Sequence, residues 1–171
     1  MSQTSHPRKQ GVALAGQMSD LTHSNRDSFC NVEASAEIPF GTMVARATGG
    51  AEQLDAGDDN LVGIVIRDHA YDIPNELGDT GLKPTVVMTV LSKGRIWVPV
   101  EEAVTDLSGP VRVRHTVTGN EVPGAFRTTA DSTDCIDCSA FARWIGASVT
   151  SNGATLAEVE IFGNFNAAIA D

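Results

Sequence analysis

The sequence is poor in aromatic residues and contains no long apolar run. Only 5% of its 171 residues are aromatic although 42% are hydrophobic, so its core has to be built mainly from aliphatic side chains. No apolar stretch approaches the roughly 20 residues that cross a bilayer, and residues 1–10 are polar with no hydrophobic region behind them. We therefore expect no membrane-spanning segment, no signal peptide and no membrane partner.

Disulfide frameworks, histidine pairs and catalytic signatures are lacking as well. An odd number of cysteines, Cys30, Cys135 and Cys138, does not favour a complete disulfide framework and indicates synthesis in a reducing cytoplasm. The Cys135–Cys138 spacing has no second pair, so ordinary thiols are favoured over a zinc site or a local disulfide. No two histidines have metal-ligand spacing, and neither a nucleophile elbow nor a phosphate-binding glycine loop occurs. The sequence predicts no catalytic residue, no metal and no cofactor.

Positive charge is also scarce. There are 22 acidic residues against 12 basic ones, which gives a formal net charge of −10. This balance disfavours binding to a phosphate backbone, so we expect no nucleic acid partner. The oxygen-rich segment 55–60 departs from the EF-hand pattern, and a solvated acidic turn is favoured there over a calcium site.

The first 26 residues differ from the rest in both charge and pattern. They hold three basic residues, Arg8, Lys9 and Arg26, against one acidic residue, Asp20. The rest of the chain therefore has 21 acidic and 9 basic residues, a formal charge of −12. Because residues 1–26 also lack sustained helical or strand periodicity, we expect an extended N-terminal arm followed by one domain at 27–171.

Several segments carry the patterns of β-strands. An apolar, β-branched run at 61–67 is typical of a buried strand. In 111–117, three valines and His115 alternate with Arg112, Arg114 and a threonine, which predicts a half-buried strand with a hydrogen-bonded histidine.

Two hairpins are predicted. In the first, apolar residues alternate on both sides of Ser92, Lys93 and Gly94, which are taken as the turn. In the second, an Asn-Gly turn at residues 152 and 153 joins strands at 141–149 and 156–162. With seven to nine strands and no amphipathic helix, the sequence predicts an all-β domain, either a β-barrel or a jelly-roll-like sandwich.

The order of these features resembles that of structural cement proteins of tailed bacteriophages, also called capsid decoration proteins. The resemblance spans about residues 30–163 and rests on an order of segments rather than on a signature motif. The segments are Ala36–Val44, Leu61–Val65, Val90–Val100, Gly109–Val113, Trp144–Thr150 and Leu156–Ile161.

The resemblance implies a binding protein without an active site. It implies a virion protein on the outer capsid surface that bridges subunits of the major capsid protein and stabilises the shell. It also implies contacts between copies, with a homotrimer favoured over a dimer. The residues expected to contact the capsid or a sister subunit are Arg8, Lys9, Val12, Leu14, Arg26 and Trp97.

Two other functions stay open from the sequence. A head-fibre or carbohydrate-binding module of a virion would use Trp97, Trp144 or Tyr71 to stack on sugars, although packing is the favoured role for both tryptophans. A small β-barrel nucleotide hydrolase has a similar size and strand content, but the acidic and tyrosine motifs of such enzymes do not occur.

Overall fold

The computed structural model describes residues 13–56, 60–67, 81–151, 153–163 and 165. These residues form thirteen β-strands and no α-helix, so the prediction of an all-β fold is confirmed. The first seven strands are β1 (Met18–Cys30), β2 (Ile38–Pro39), β3 (Met43–Ala47), β4 (Gly50–Gln53), β5 (Leu61–Val65), β6 (Gly81–Leu82) and β7 (Val87–Pro99). The other six are β8 (Arg112–Arg114), β9 (Phe126–Arg127), β10 (Cys135–Asp137), β11 (Ala142–Trp144), β12 (Val149–Ser151) and β13 (Ala154–Ile161). Within the described residues, no helix has the length and apolar character that crossing a membrane requires.

Most strands belong to one antiparallel principal sheet. Its main path has the order β11–β13–β7–β5–β3–β4, with β1 paired to β7 and β12 paired to β13. A separate three-stranded sheet has the order β10–β8–β9, and β2 pairs with β6. In the described part of the chain, the two end strands of the main path, β11 and β4, do not pair with each other. Within the described residues the principal sheet is therefore not a closed barrel, and the choice between a β-barrel and a jelly-roll-like sandwich stays a prediction.

Apolar side chains cover both faces of the central strands. β5 is buried at every position, and its side chains are divided between two core clusters. Val113 of β8 and Phe126 of β9 pack in the first cluster, and Ile38 of β2 and Leu82 of β6 pack in the second. Separate layers thus fill both cores, and the sheet does not have to close. A strand covered on both faces has no solvated side, which explains the continuous apolar run and confirms the predicted buried strand.

β7 is one continuous strand where the sequence predicts a hairpin. Ser92, Lys93 and Gly94 lie inside this strand. Val90 and Leu91 before them pair with β5, the residues from Gly94 onward pair with β13, and β1 pairs with both halves. Leu91 and Ile96 lie in the same cluster although residues five positions apart in a regular strand face opposite sides, so the alternation shifts by one position between them. The pattern that resembles two paired strands comes from two halves of one strand that face different cores.

The predicted C-terminal hairpin is confirmed with one change. β12 and β13 pair across the predicted turn, with Val149 opposite Leu156, and residue 152 lies outside the described residues. The predicted strand at 141–149 is divided into β11 and β12, and both of them pair with β13.

Residues 13–26, the described part of the predicted arm, contact the principal sheet. The N–H of Gly16 donates to the carbonyl of Trp97 over 2.8 Å, and the carbonyl of Gly16 accepts from the N–H of Arg67 over 2.8 Å. The chain then continues as β1 along β7. The arm boundary at residue 26 stays a prediction. Three predicted contact residues lie outside the described residues: Arg8, Lys9 and Val12.

Gly63 in β5 allows a test of the two-sided packing. Its φ is +143°, and an added Cβ would overlap the carbonyl oxygen of Leu91. Gly49 also has a positive φ, +89°, but an added Cβ there would enter open space. We expect Gly49→Ala to lower the free energy of unfolding by about 1 kcal/mol through backbone strain alone. Gly63→Ala should lower it by about 2–4 kcal/mol because the clash adds to the strain. Urea denaturation of both variants measures the difference, and equal losses would contradict the packing described.

Candidate functional site

Arg114 is the one charged residue that is fully buried in the described part of the chain. It is the last residue of β8, and its side chain is only 2% exposed. Strand alternation with the buried Val113 would place Arg114 on a solvated face. Burying an unpaired charge is strongly unfavourable, so a guanidinium in this position requires several partners.

Three carboxylates from different loops supply those partners. Arg114 Nε lies 2.6 Å from Glu101 Oε1, and Nη2 lies 2.9 Å from Glu101 Oε2, which is a bidentate pair. The same Nη2 lies 2.8 Å from Asp131 Oδ2 and 3.0 Å from Glu121 Oε1. Arg127 of β9 joins the network through Nη1, which is 3.0 Å from both Glu101 Oε2 and Asp131 Oδ2. One buried arginine therefore ties three loops to the small sheet.

Hydrogen bonds lower the pKa of two carboxylates in this region, Asp131 and Glu102. The side-chain hydrogen bond from Arg114 holds the pKa of Asp131 below its ordinary value. Burial raises the pKa of Glu102, but hydrogen bonds from the N–H and hydroxyl groups of Thr129 and Thr128 outweigh burial and lower its pKa overall. Glu102 joins the network through Arg127, whose Nε lies 3.9 Å from Glu102 Oε1. The four carboxylates and two guanidiniums have a formal charge of −2.

The charged network lines one side of a groove with a volume of about 800 Å³, here called the Arg114 groove. Ala15 and Ala154 also belong to its wall. An apolar lining beside a net negative rim suits an apolar segment that carries basic side chains. The apolar lining comprises Pro39, Phe40, Pro99, Val100, Val122 and Ala125.

A second surface is the outward face of β7, β11 and β13. Trp97 is half-buried there, whereas its neighbours in the strand are fully buried. Glu160 pairs with Arg95 at 3.1 Å and with Arg143 at 2.6 Å, and the Arg143 guanidinium lies 5.3 Å from the centre of the Phe162 ring. This mixture of aromatic rings and arginines is typical of protein interfaces.

The structure brings two of the predicted contact residues into one region. Leu14 is half-buried and lies two residues before Gly16, which is hydrogen-bonded to Trp97. Arg26 is exposed on β1 opposite Leu91, six positions along β7 from Trp97, up to about 20 Å away at ~3.3 Å per residue. Arg26 therefore belongs to a different part of the surface.

The cysteines do not assemble a redox or metal site in the described part of the chain. All three are free thiols there, and no group of three or more metal-ligating side chains comes together. Burial raises the pKa of the Cys138 thiol and that of Cys135, so both are protonated at neutral pH. Of the acidic segment 55–60, residues 57–59 lie outside the described residues.

The remaining candidates take packing positions. His115 directly follows β8, and its Nδ1 lies 2.9 Å from the hydroxyl of Thr116. Trp144 is buried, and its indole N–H donates to the carbonyl of Pro110 over 3.0 Å. A buried indole has no free face for a sugar, so packing is its role. Tyr71 lies outside the described residues.

Comparisons with known proteins point to viral capsids. A family model described as "Structural cement protein (E217 gp24/Pam3 gp6)" matches residues 2–162. Among solved structures, the chain is similar to one titled "The capsid of Myoviridae Phage XM1", with a TM-score of 0.69 and 17% sequence identity over 96% of this chain and 98% of that chain. At this identity the structural match establishes a shared fold. No curated protein matches the chain.

Removing the buried guanidinium tests the charge network. We expect Arg114→Met to lower the free energy of unfolding by about 2–4 kcal/mol, because three carboxylates lose their partner. This range lies below that of a fully buried pair since the three carboxylate side chains are 22–43% exposed. Arg143→Met is the matched control: its side chain is 59% exposed, so its pair with Glu160 should contribute less than about 1 kcal/mol. Urea denaturation measures the free energy of unfolding of both variants. A loss for Arg114→Met no larger than that for Arg143→Met would contradict the network.

Acid should weaken the same network. The lowered pKa values of Asp131 and Glu102 mean that the folded state binds these protons less readily than the unfolded state. Their stabilisation is complete above the unfolded values of about 4 and is lost as pH falls through the lower folded values. We expect the contribution of these two carboxylates to the free energy of unfolding to be constant between about pH 7 and 5 and to decline below about pH 4. Arg114→Met should make the decline shallower in urea titrations, and an unchanged profile would be inconsistent with this assignment.

Proposed function

Because the chain belongs to the structural cement protein family of phage capsids, we propose that it binds the outer surface of a tailed-phage head and bridges neighbouring major capsid protein subunits. The observation that carries the proposal is the family match, which extends over residues 2–162 of 171. The location of such a protein is the virion and its role is structural.

The described body suits a mechanical role. Its core is covered on both faces, and its most deeply buried charge has a full set of partners, so the body can act as a rigid spacer. The formal charge of −10 gives no general attraction to nucleic acid. Attachment then depends on local surfaces, of which the outward face around Trp97 is one and the Arg114 groove is another.

The N-terminal arm provides a second, tethered attachment. Arg8, Lys9, Val12 and Leu14 would contact a neighbouring capsid protein or a sister cement chain, with Arg26 and Trp97 as contacts on the body. Two linked contacts raise the effective local concentration of each other, so modest interfaces add up to durable binding. A homotrimer, in preference to a dimer, would suit a three-fold junction of the shell.

Co-sedimentation with purified shells that lack this protein tests the proposal. The full chain should pellet with the shells at a fixed ratio of copies per capsid protein, and a chain that stays in the supernatant would refute the proposed function. The ratio read from the pellet also distinguishes three-fold from two-fold sites. The position of the bound density, inside or outside the shell, tests the assignment to the outer surface.

Deletion of residues 1–12 tests the arm without removing any part of β1, which begins at Met18. We expect the apparent affinity for shells to fall by about 10²-fold, because one of two linked contacts is lost. Trp97→Ala should weaken binding through the body, whereas Leu107→Ala, which trims an exposed apolar side chain elsewhere, should not. Undiminished binding after the deletion would remove the arm from the mechanism.

A further inference from the structure

We propose that the Arg114 groove receives residues 1–12 of a second copy of this chain, so that neighbouring copies are joined by exchanged N-terminal segments. This inference deepens the proposed function and rests on it only for its setting on the shell.

The formal charges of residues 1–12 and of the Arg114 groove are opposite in sign. Residues 1–12 contain Arg8 and Lys9 and no aspartate or glutamate. The groove carries four carboxylates against two guanidiniums, a formal charge of −2. The segment is thus locally basic in a chain of net charge −10, and the acidic groove includes Ala15, two residues after the first described residue, in its wall.

The rim carboxylates have capacity for further donors. The side chain of Asp131 is 43% exposed and that of Glu121 is 29% exposed, although both contact Arg114. An ionised carboxylate accepts about four hydrogen bonds, so an ammonium or guanidinium from outside can bind without displacing the buried arginine. Arg114 and Arg127 then orient the carboxylates, and the incoming base completes their coordination.

The apolar lining of the groove gives the neighbouring side chains of the segment a place to bind. Phe40, Val100 and Ala125 are buried residues of this lining. Val12, Pro7 and Met1 are the apolar residues on either side of the basic pair in the segment. A volume of about 800 Å³ lies within the range of roughly 300–1,000 Å³ that is typical of binding clefts.

The segment joins the body close to the groove. Both backbone groups of Ala13 are bound by the Ser151 hydroxyl, at 3.4 Å from N and 2.7 Å from O, and Ala15 is part of the groove wall. The first described residues after the donor segment therefore lie beside the acceptor groove. In a ring of copies the segment of one copy would cross to the groove of the next, and twelve extended residues reach at most about 40 Å.

Isotope-coded cross-linking of the full chain provides the test. Unlabelled and ¹⁵N-labelled protein are mixed, bound to shells, and treated with a carbodiimide that joins amines to carboxylates. Mass spectrometry should find Lys9 linked to Glu121, Asp131, Glu101 or Glu102 in pairs of mixed label. The double variant Glu121→Gln with Asp131→Asn should reduce these links at least fivefold, and Glu37→Gln, an exposed carboxylate outside the groove lining, should leave them unchanged.

Any cross-linking result other than mixed-label links between Lys9 and the groove overturns the inference. Links within chains of one label only would assign the groove to its own segment, and links from Lys9 to the capsid protein or to other carboxylates would assign the segment to another surface. Sedimentation of the free protein gives a second measurement: Arg8→Gln with Lys9→Gln should weaken self-association at least tenfold at low salt, and Lys93→Gln should not. Shell binding without Lys9–groove links would refute the inference alone, and links in solution without shell binding would refute the proposed function alone.

Discussion

Burial of the central strands on both faces is the constraint on which the rest of this structure depends. A strand such as β5, buried at all of its positions, requires a covering layer on each side of the sheet. The β10–β8–β9 sheet supplies one layer and the β2–β6 pair the other. Because added layers fill both cores, the principal sheet does not need to curl into a barrel. Two glycines with positive φ, Gly63 and Gly94, lie where the alternation of a strand between the two cores shifts by one position.

The covering layer also explains the buried charge. β8 brings Val113 into the first core, and Arg114 follows it at the edge of that core. A guanidinium there is tolerable only with several charged hydrogen-bond acceptors, so the loops at Glu101, Glu121 and Asp131 converge on it. Their convergence forms one side of the Arg114 groove. The network therefore holds together one wall of the groove.

The sequence predicts those elements whose signal is local. The apolar run of β5 and the Asn-Gly turn before β13 each lie within a few residues, and both are confirmed. The hairpin predicted around Gly94 is wrong because two strands, and one strand whose alternation shifts by one position, give the same sequence pattern. The partners of Arg114 could not be predicted, since Glu101 and Asp131 are 13 and 17 residues away and nothing local identifies them.

The net negative charge of the chain affects how copies of it can contact each other. A chain of formal charge −10 is repelled by its neighbours at short range, and screening over about 8 Å reduces this repulsion without removing it at a direct contact. A contact between acidic copies therefore needs a locally basic surface. In this chain, residues 1–12 carry two basic residues and no acidic ones, while the described body gathers carboxylates around two arginines. Arg8 and Lys9, with no acidic residue among residues 1–12, give each copy a locally basic segment to present to a neighbour, while the rest of the chain has a formal charge of −12.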